Sequence, residues 1–214
     1  MIEKEQTIVD SFHDLYYNGP AGAGQLYLQT YWMNVPCLKC PLDLWIYQEI
    51  IAEIKPSLII ETGTHLGGSA LYLAHLLDVL GSGEIFTIDI VENPARPTHP
   101  RIKYIKGSSA DAELIHSLIS SRPAETRLVI LDSDHSKPHV LRELELLAPY
   151  VSPGSYLIVE DTNINGHPTY PEFGEGPFEA VAEFLSRNQN FTPDNSREKF
   201  LMTFNPKGFL KRLA

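Results

Sequence analysis

Four short stretches of this 214-residue chain hold the residues whose types and spacing could do chemistry. The first, Glu61-Thr62-Gly63-Thr64-His65-Leu66-Gly67-Gly68-Ser69, follows an apolar run. Glycines let a backbone turn sharply and come close to a ligand, and a helix starting there offers free N–H groups. The second is Asp89, at the end of the next apolar run, where a carboxylate can accept hydrogen bonds from both ribose hydroxyls of a nucleoside cofactor. The glycine turn is neither G-x-G-x-x-G nor a P-loop. It carries no Lys or Arg to hold a pyrophosphate, and Glu61 adds negative charge. That pattern is awkward for a dinucleotide and suits a positively charged ligand such as S-adenosylmethionine, with its ammonium and sulfonium. The plainer alternative is a glycine-rich turn followed by a surface Asp.

The third and fourth stretches are Asp132-Ser133-Asp134-His135 and Glu160-Asp161-Thr162. Carboxylates gathered at neighbouring strand ends repel one another unless a cation sits among them. Asp132, Glu160 and Asp161 form an all-oxygen set suited to a hard divalent ion such as Mg²⁺; the alternative is a solvated acidic rim. Asp134 is either a supporting group or simply exposed. His135 is placed to act as a general base, or else to cap the helix that Pro138 opens. His135 and His139 have a zinc-like spacing, but Pro138 makes the segment a helix start, which disfavours zinc. His65 touches cofactor or substrate, or only fills a turn. Cys37-Leu38-Lys39-Cys40 is a C-x-x-C with no strand before it and no second pair, so two buried small residues are expected rather than a redox or zinc site. Tyr27, Tyr31 and Trp32 line a pocket or, as the favoured reading, pack in the core.

The elements that must position these groups alternate. Apolar runs at 57–62, 84–89, 102–106, 127–132 and 155–160 read as strands, and 68–80, 111–120 and 138–149 as helices. That order implies right-handed crossovers and an α/β fold with a largely parallel sheet covered on both faces. Ligands then bind beyond the carboxyl ends of the strands, where the four stretches lie. Asp43 is expected to cap a helix over 44–54. The polar, Pro- and Gly-rich stretch 163–176 looks like a lid, a helix follows near 177–188, and 200–204 reads as a closing antiparallel strand. The chain divides into an irregular, substrate-side extension, 1–40, and a domain, 41–214.

A net charge of −10, with 21% charged and 43% hydrophobic residues, argues against nucleic acid and anionic lipid as partners. No apolar stretch is long enough to span a membrane, the N-terminus lacks a signal-peptide core, and two cysteines cannot make a disulfide framework. The expectation is a cytoplasmic protein.

Taken in order, Ile60 to Ser69, Thr87-Ile88-Asp89, Leu131 to His135 and Val159 to Thr162 resemble the CmcI-like family, known also as cephalosporin hydroxylases and including rhamnosyl O-methyltransferases. The resemblance runs from about residue 28 to the C-terminus. It implies a Rossmann-like class I S-adenosylmethionine-dependent methyltransferase fold: a mostly parallel seven-stranded sheet, helices on both faces and an antiparallel last strand, for which 200–206 fits. It implies Mg²⁺ or another divalent ion on Asp132, Glu160 and Asp161, with His135 as base. The cofactor would meet Glu61, Gly63, Thr64, Gly67, Gly68, Ser69, Asp89, Ser109 and Asp132. The acceptor would be a hydroxyl of a sugar or of a glycosylated or small natural product, and self-association stays open. The rivals are an oxidoreductase or hydroxylase using a nucleotide or iron, and a non-catalytic binding protein of the same fold. Iron would want two histidines and one carboxylate.

Overall fold

A strand with no polar side has to be covered on both faces, and Leu58–Thr62, buried at all five positions, takes an interior place in the sheet. The computed structural model describes residues 3–120, 122–123 and 126–213. It begins with helix α1 (Glu3–Asn18), a short hairpin of β1 (Tyr31–Trp32) and β2 (Val35–Pro36), and helix α2 (Pro41–Ile54). The alternating part follows: β3 (Leu58–Thr62), α3 (Gly68–Leu80), β4 (Glu84–Asp89), β5 (Ile102–Lys106), α4 (Ala112–Ser120), β6 (Arg127–Leu131), α5 (Lys137–Leu147) and β7 (Tyr156–Val159). Then come α6 (Pro177–Arg187), β8 (Phe191–Pro193) and β9 (Phe209–Arg212).

The seven-stranded sheet runs β5-β4-β3-β6-β7-β9-β8. The first five strands are parallel, and β9 lies antiparallel between β7 and β8. Thr62 pairs with Ile88 on one side and Leu131 on the other, so β3, β4 and β6 finish level. One face is covered by α4, α5 and α6 through Ile115, Leu144 and Phe184. The other is covered by α2 and α3 through Ile50, Leu73 and Leu77. Among the described residues no helix is long and apolar enough to cross a membrane.

Four local expectations change. The first 40 residues are not wholly irregular, because α1 occupies 3–18 and buries His13 and Tyr17. The helix expected at 44–54 starts at Pro41, whose fixed φ suits a first turn, and Asp43 does not cap it. Instead its carboxylate accepts from Thr203 Oγ1 at 2.6 Å and Phe204 N–H at 2.8 Å. Residues 200–206 therefore do not form the last strand: their polar groups go to Asp43 and Asn163, Phe204 packs under α1, and the antiparallel strand is β9. Finally, 163–176 is largely anchored. Asn163, Ile164 and Thr169 are buried, and Thr169 N–H donates to Asn163 O and Gly166 N–H to Thr169 O.

Candidate active site

The glycine turn is shaped by crowding between strand ends. Gly63 has φ +84°, donates its N–H to Ile88 O, and a Cβ there would stand 1.7 Å from Asp132 O. Gly68 starts α3 directly against Pro36 O, and Gly67, just before it, faces Tyr104 and Pro97. Below the turn Glu61 is fully buried. Thr64 donates to Thr87, Thr87 donates to Glu61 Oε2 at 2.6 Å, and Ser69 bonds the same carboxylate. Burial raises the Glu61 pKa against the pull of Lys39, while Oε1 is left with no hydrogen-bond partner.

Asp89 ends β4 with its carboxylate engaged by His65 N–H, Val91 N–H and Arg96 Nη2, each at 2.9 Å. His65 takes part through its backbone: its carbonyl accepts from Arg96 Nε. Arg96 comes from the β4–β5 connection, so a cation does stand beside the glycine turn although the turn's own sequence has none.

The acidic residues converge at the ends of β6 and β7. Ligand atoms of Asp132, His135 and Asp161 lie within 4.8 Å of one another. His135 Nε2 is 3.3 Å from Asp132 Oδ1 and 3.2 Å from Asp161 Oδ2. Burial lowers the His135 pKa, but the two carboxylates outweigh it and lift it to about 9. Glu160 faces another way: its Oε1 lies 2.6 Å from Lys39 Nζ, which also pairs with Asp132 Oδ2. Burial disfavours ionisation at all three acids. Lys39 and His135 overcome it at Asp132 and hold that pKa low, whereas Glu160 and Asp161 end up raised.

Asp161 sits at φ +54°, a left-handed conformation that Asp tolerates better than most residues. It is clasped from a distance. Asn205 Oδ1 accepts its N–H, Thr162 Oγ1 donates to Pro206 O, Asn163 N–H to Phe204 O and Val159 N–H to Gly208 O.

These groups open on one cavity of about 900 Å³, walled by Gly63, Asp89, Ser109, Asp132, His135 and Asp161. That volume is in the usual range for a small-molecule site. Ser109 Oγ is 3.3 Å from His139 Nε2, and Ser133, 3.1 Å from the same atom, donates to the buried Glu143 at 2.7 Å. Asp134 turns to solvent and accepts Ser136 N–H at the start of α5. Tyr17 and Tyr27, stacked at 4.9 Å, close the cavity beyond Asp161. Tyr31 is exposed, and Trp32 packs edge-on to Tyr72 and donates to His75. Cys37 and Cys40 are buried free thiols.

Lys39, Arg96 and Glu143 escaped the sequence reading. Lys39 had one signal, a lysine inside the apolar, proline-flanked run Val35 to Pro41. Glu143 had another, an acid on the same α5 face as Val140, Leu144 and Leu147.

Residues 25–213 match the family described as rhamnosyl O-methyltransferase/CmcI. Rhamnosyl O-methyltransferases of Mycobacterium tuberculosis and Mycobacterium leprae are each 40% identical over 214 residues. The match covers 96% of this chain and, respectively, 85% and 91% of theirs. A solved structure of CmcI with Mg and SAM superposes with a TM-score of 0.69 at 19% identity, covering 94% of this chain and 84% of that one. At that identity the likeness is one of fold, and it is the Rossmann-like fold expected.

Proposed function

The chain belongs to the rhamnosyl O-methyltransferase/CmcI family, and we propose that it transfers a methyl group from S-adenosylmethionine to a hydroxyl oxygen of a sugar, with a divalent ion in the acidic cluster. The observation that carries this reading is the meeting of Asp132, His135 and Asp161 within 4.8 Å, in the same cavity as the glycine turn and Asp89.

The residues fit both groups. Burial, with the neighbouring carboxylates, raises the Glu160 and Asp161 pKa values; a dication among them would favour the charged forms, and carboxylate oxygens suit a hard dication. Asp132 and Asp161 would hold the ion, and Glu160 would join them by turning its carboxylate from Lys39. Only one imidazole is present among these donors, which counts against an iron oxygenase. Asp89, with Ser109 farther along the wall, would hold the nucleoside. The unpartnered Oε1 of Glu61 leaves an acceptor free under a cationic cofactor. Thr64, Ser69 and the backbone at Gly63, Gly67 and Gly68 would shape the turn around it.

When bound, the cofactor supplies the methyl group and the ion acts as a Lewis acid that makes the acceptor hydroxyl easier to deprotonate. His135 Nε2 is placed to take that proton. With a pKa near 9 it holds a proton at neutral pH while both neighbouring carboxylates keep full charge, and offsetting that charge frees it as a base. Tyr17 and Tyr27 offer ring faces where an acceptor sugar would rest, which supports residues 1–40 as the substrate-side segment and 41–214 as the domain proper. Free buried thiols at Cys37 and Cys40 support a cytoplasmic location.

The test is calorimetry with S-adenosylhomocysteine followed by transfer of labelled methyl from S-adenosylmethionine to methyl rhamnopyranoside. Wild type and Asp132→Asn should both bind S-adenosylhomocysteine. Turnover should need Mg²⁺ and fall by about 100-fold or more in Asp132→Asn. Turnover indifferent to both chelator and Asp132→Asn would remove the metal role.

A further inference from the structure

One buried cation stands beside the acidic cluster, in the wall of the cavity. Lys39, 4% exposed, reaches Asp132 Oδ2 and Glu160 Oε1. Its backbone has little room to withdraw. Cys37 N–H donates to Thr30 O, Lys39 N–H to Cys37 O and Leu44 N–H to Cys40 O, so the segment is pinned between the hairpin and α2. On the open side, Asp132 Oδ1 and Asp161 Oδ2 face His135. An ion entering from the cavity therefore meets Asp132 already claimed by a fixed positive charge.

We infer that Lys39 is a positioning residue with two effects: it keeps Asp132 and Glu160 together when no ion is bound, and it weakens the ion that binds there so that the ion exchanges readily. The inference rests on the reading that a divalent ion binds this cluster. A residue that merely supported the fold would loosen the site when removed and weaken the ion. A competing charge does the reverse, because its removal leaves more negative charge for the ion to meet.

The experiment is Mn²⁺ titration of the full chain by calorimetry, with melting curves in EDTA and in Mn²⁺, for wild type, Lys39→Met and Lys39→Arg. Lys39→Met should bind Mn²⁺ at least about tenfold more tightly than wild type. It should also melt lower in EDTA, with the gap closed by Mn²⁺. Lys39→Arg keeps the charge and should stay within about threefold of wild type. A wild type that binds while Lys39→Met binds equally or more weakly overturns the inference and leaves the metal reading standing. A flat wild-type titration overturns both. If Lys39→Met does not fold, the wild type decides by ¹⁵N NMR of the Lys39 ammonium. A resonance that shifts as Mg²⁺ is added supports the inference, and one unmoved at saturation overturns it.

Discussion

Gly63 shows how one side chain's absence brings the site together. Its φ of +84° is shared by Gly22 at +83°, but a Cβ at Gly22 meets nothing within 4 Å, whereas at Gly63 it meets Asp132 O. The pair separates backbone strain from collision. Gly22→Ala should cost about 1 kcal/mol, the price of a left-handed alanine. Gly63→Ala should cost at least about 2 kcal/mol more, because the ends of β3 and β6 must part. Urea denaturation of both variants measures the difference. At this scale, what the sequence reveals depends on whether a residue's chemistry depends on its neighbours in the chain. Asp132, His135 and Asp161 could be singled out because each follows an apolar strand, and strand ends are where open sheets bind ligands. Lys39 could not, because its meaning lies in Asp132, 93 residues away. Arg96 likewise gains its role only when the β4–β5 connection folds back on Asp89.

Between elements, one long-range tie outside the sheet is the Phe204 ring. His13 stacks on it at 5.5 Å and 7°, and Tyr16, Tyr17 and Tyr27 meet it edge-on. Phe204→Ala should destabilise the protein by about 3–5 kcal/mol, with loss of near-ultraviolet circular dichroism from the tyrosines as α1 loosens. An unchanged spectrum would mean that α1 is held by other contacts. The same tie explains which elements were legible. The central strands could be read because their apolar runs are self-evident. α1 could not, since its buried residues, His13 and Tyr17, complete an apolar face only against Phe204. The Phe200–Phe204 alternation looks like a strand, but its hydrogen bonds are taken by Asp43 and Asn163. The real closing strands, β8 and β9, have only three and four residues, too few for a pattern to stand out.

Across the whole molecule, two buried groups pull stability in opposite directions with pH. Burial lowers the His13 pKa to about 4, and its Nε2 accepts from Asn163 Nδ2, which suits the neutral ring. Between pH 6.5 and 4 the unfolded chain binds a proton that the fold refuses, so stability falls as pH drops. Burial raises the Asp43 pKa to about 7 from 3.8. There the fold keeps a proton that the unfolded chain releases, so stability rises as pH drops through that window. Each effect is at most on the order of 3–5 kcal/mol. Asp43→Asn should therefore show a melting temperature that falls more steeply than wild type from pH 6.5 to 4.5, and His13→Phe one that falls less or rises. Parallel curves for all three proteins would refute the assignment. The distant clasp on Asp161 has a consequence for the order in which the protein is made. Every acidic side chain of the cluster is translated before Phe204, Asn205, Pro206 and Gly208, and before the strand that slots between β7 and β8. A nascent chain paused on the ribosome at residue 200 would own the complete set of charges and still lack the clasp that fixes Asp161.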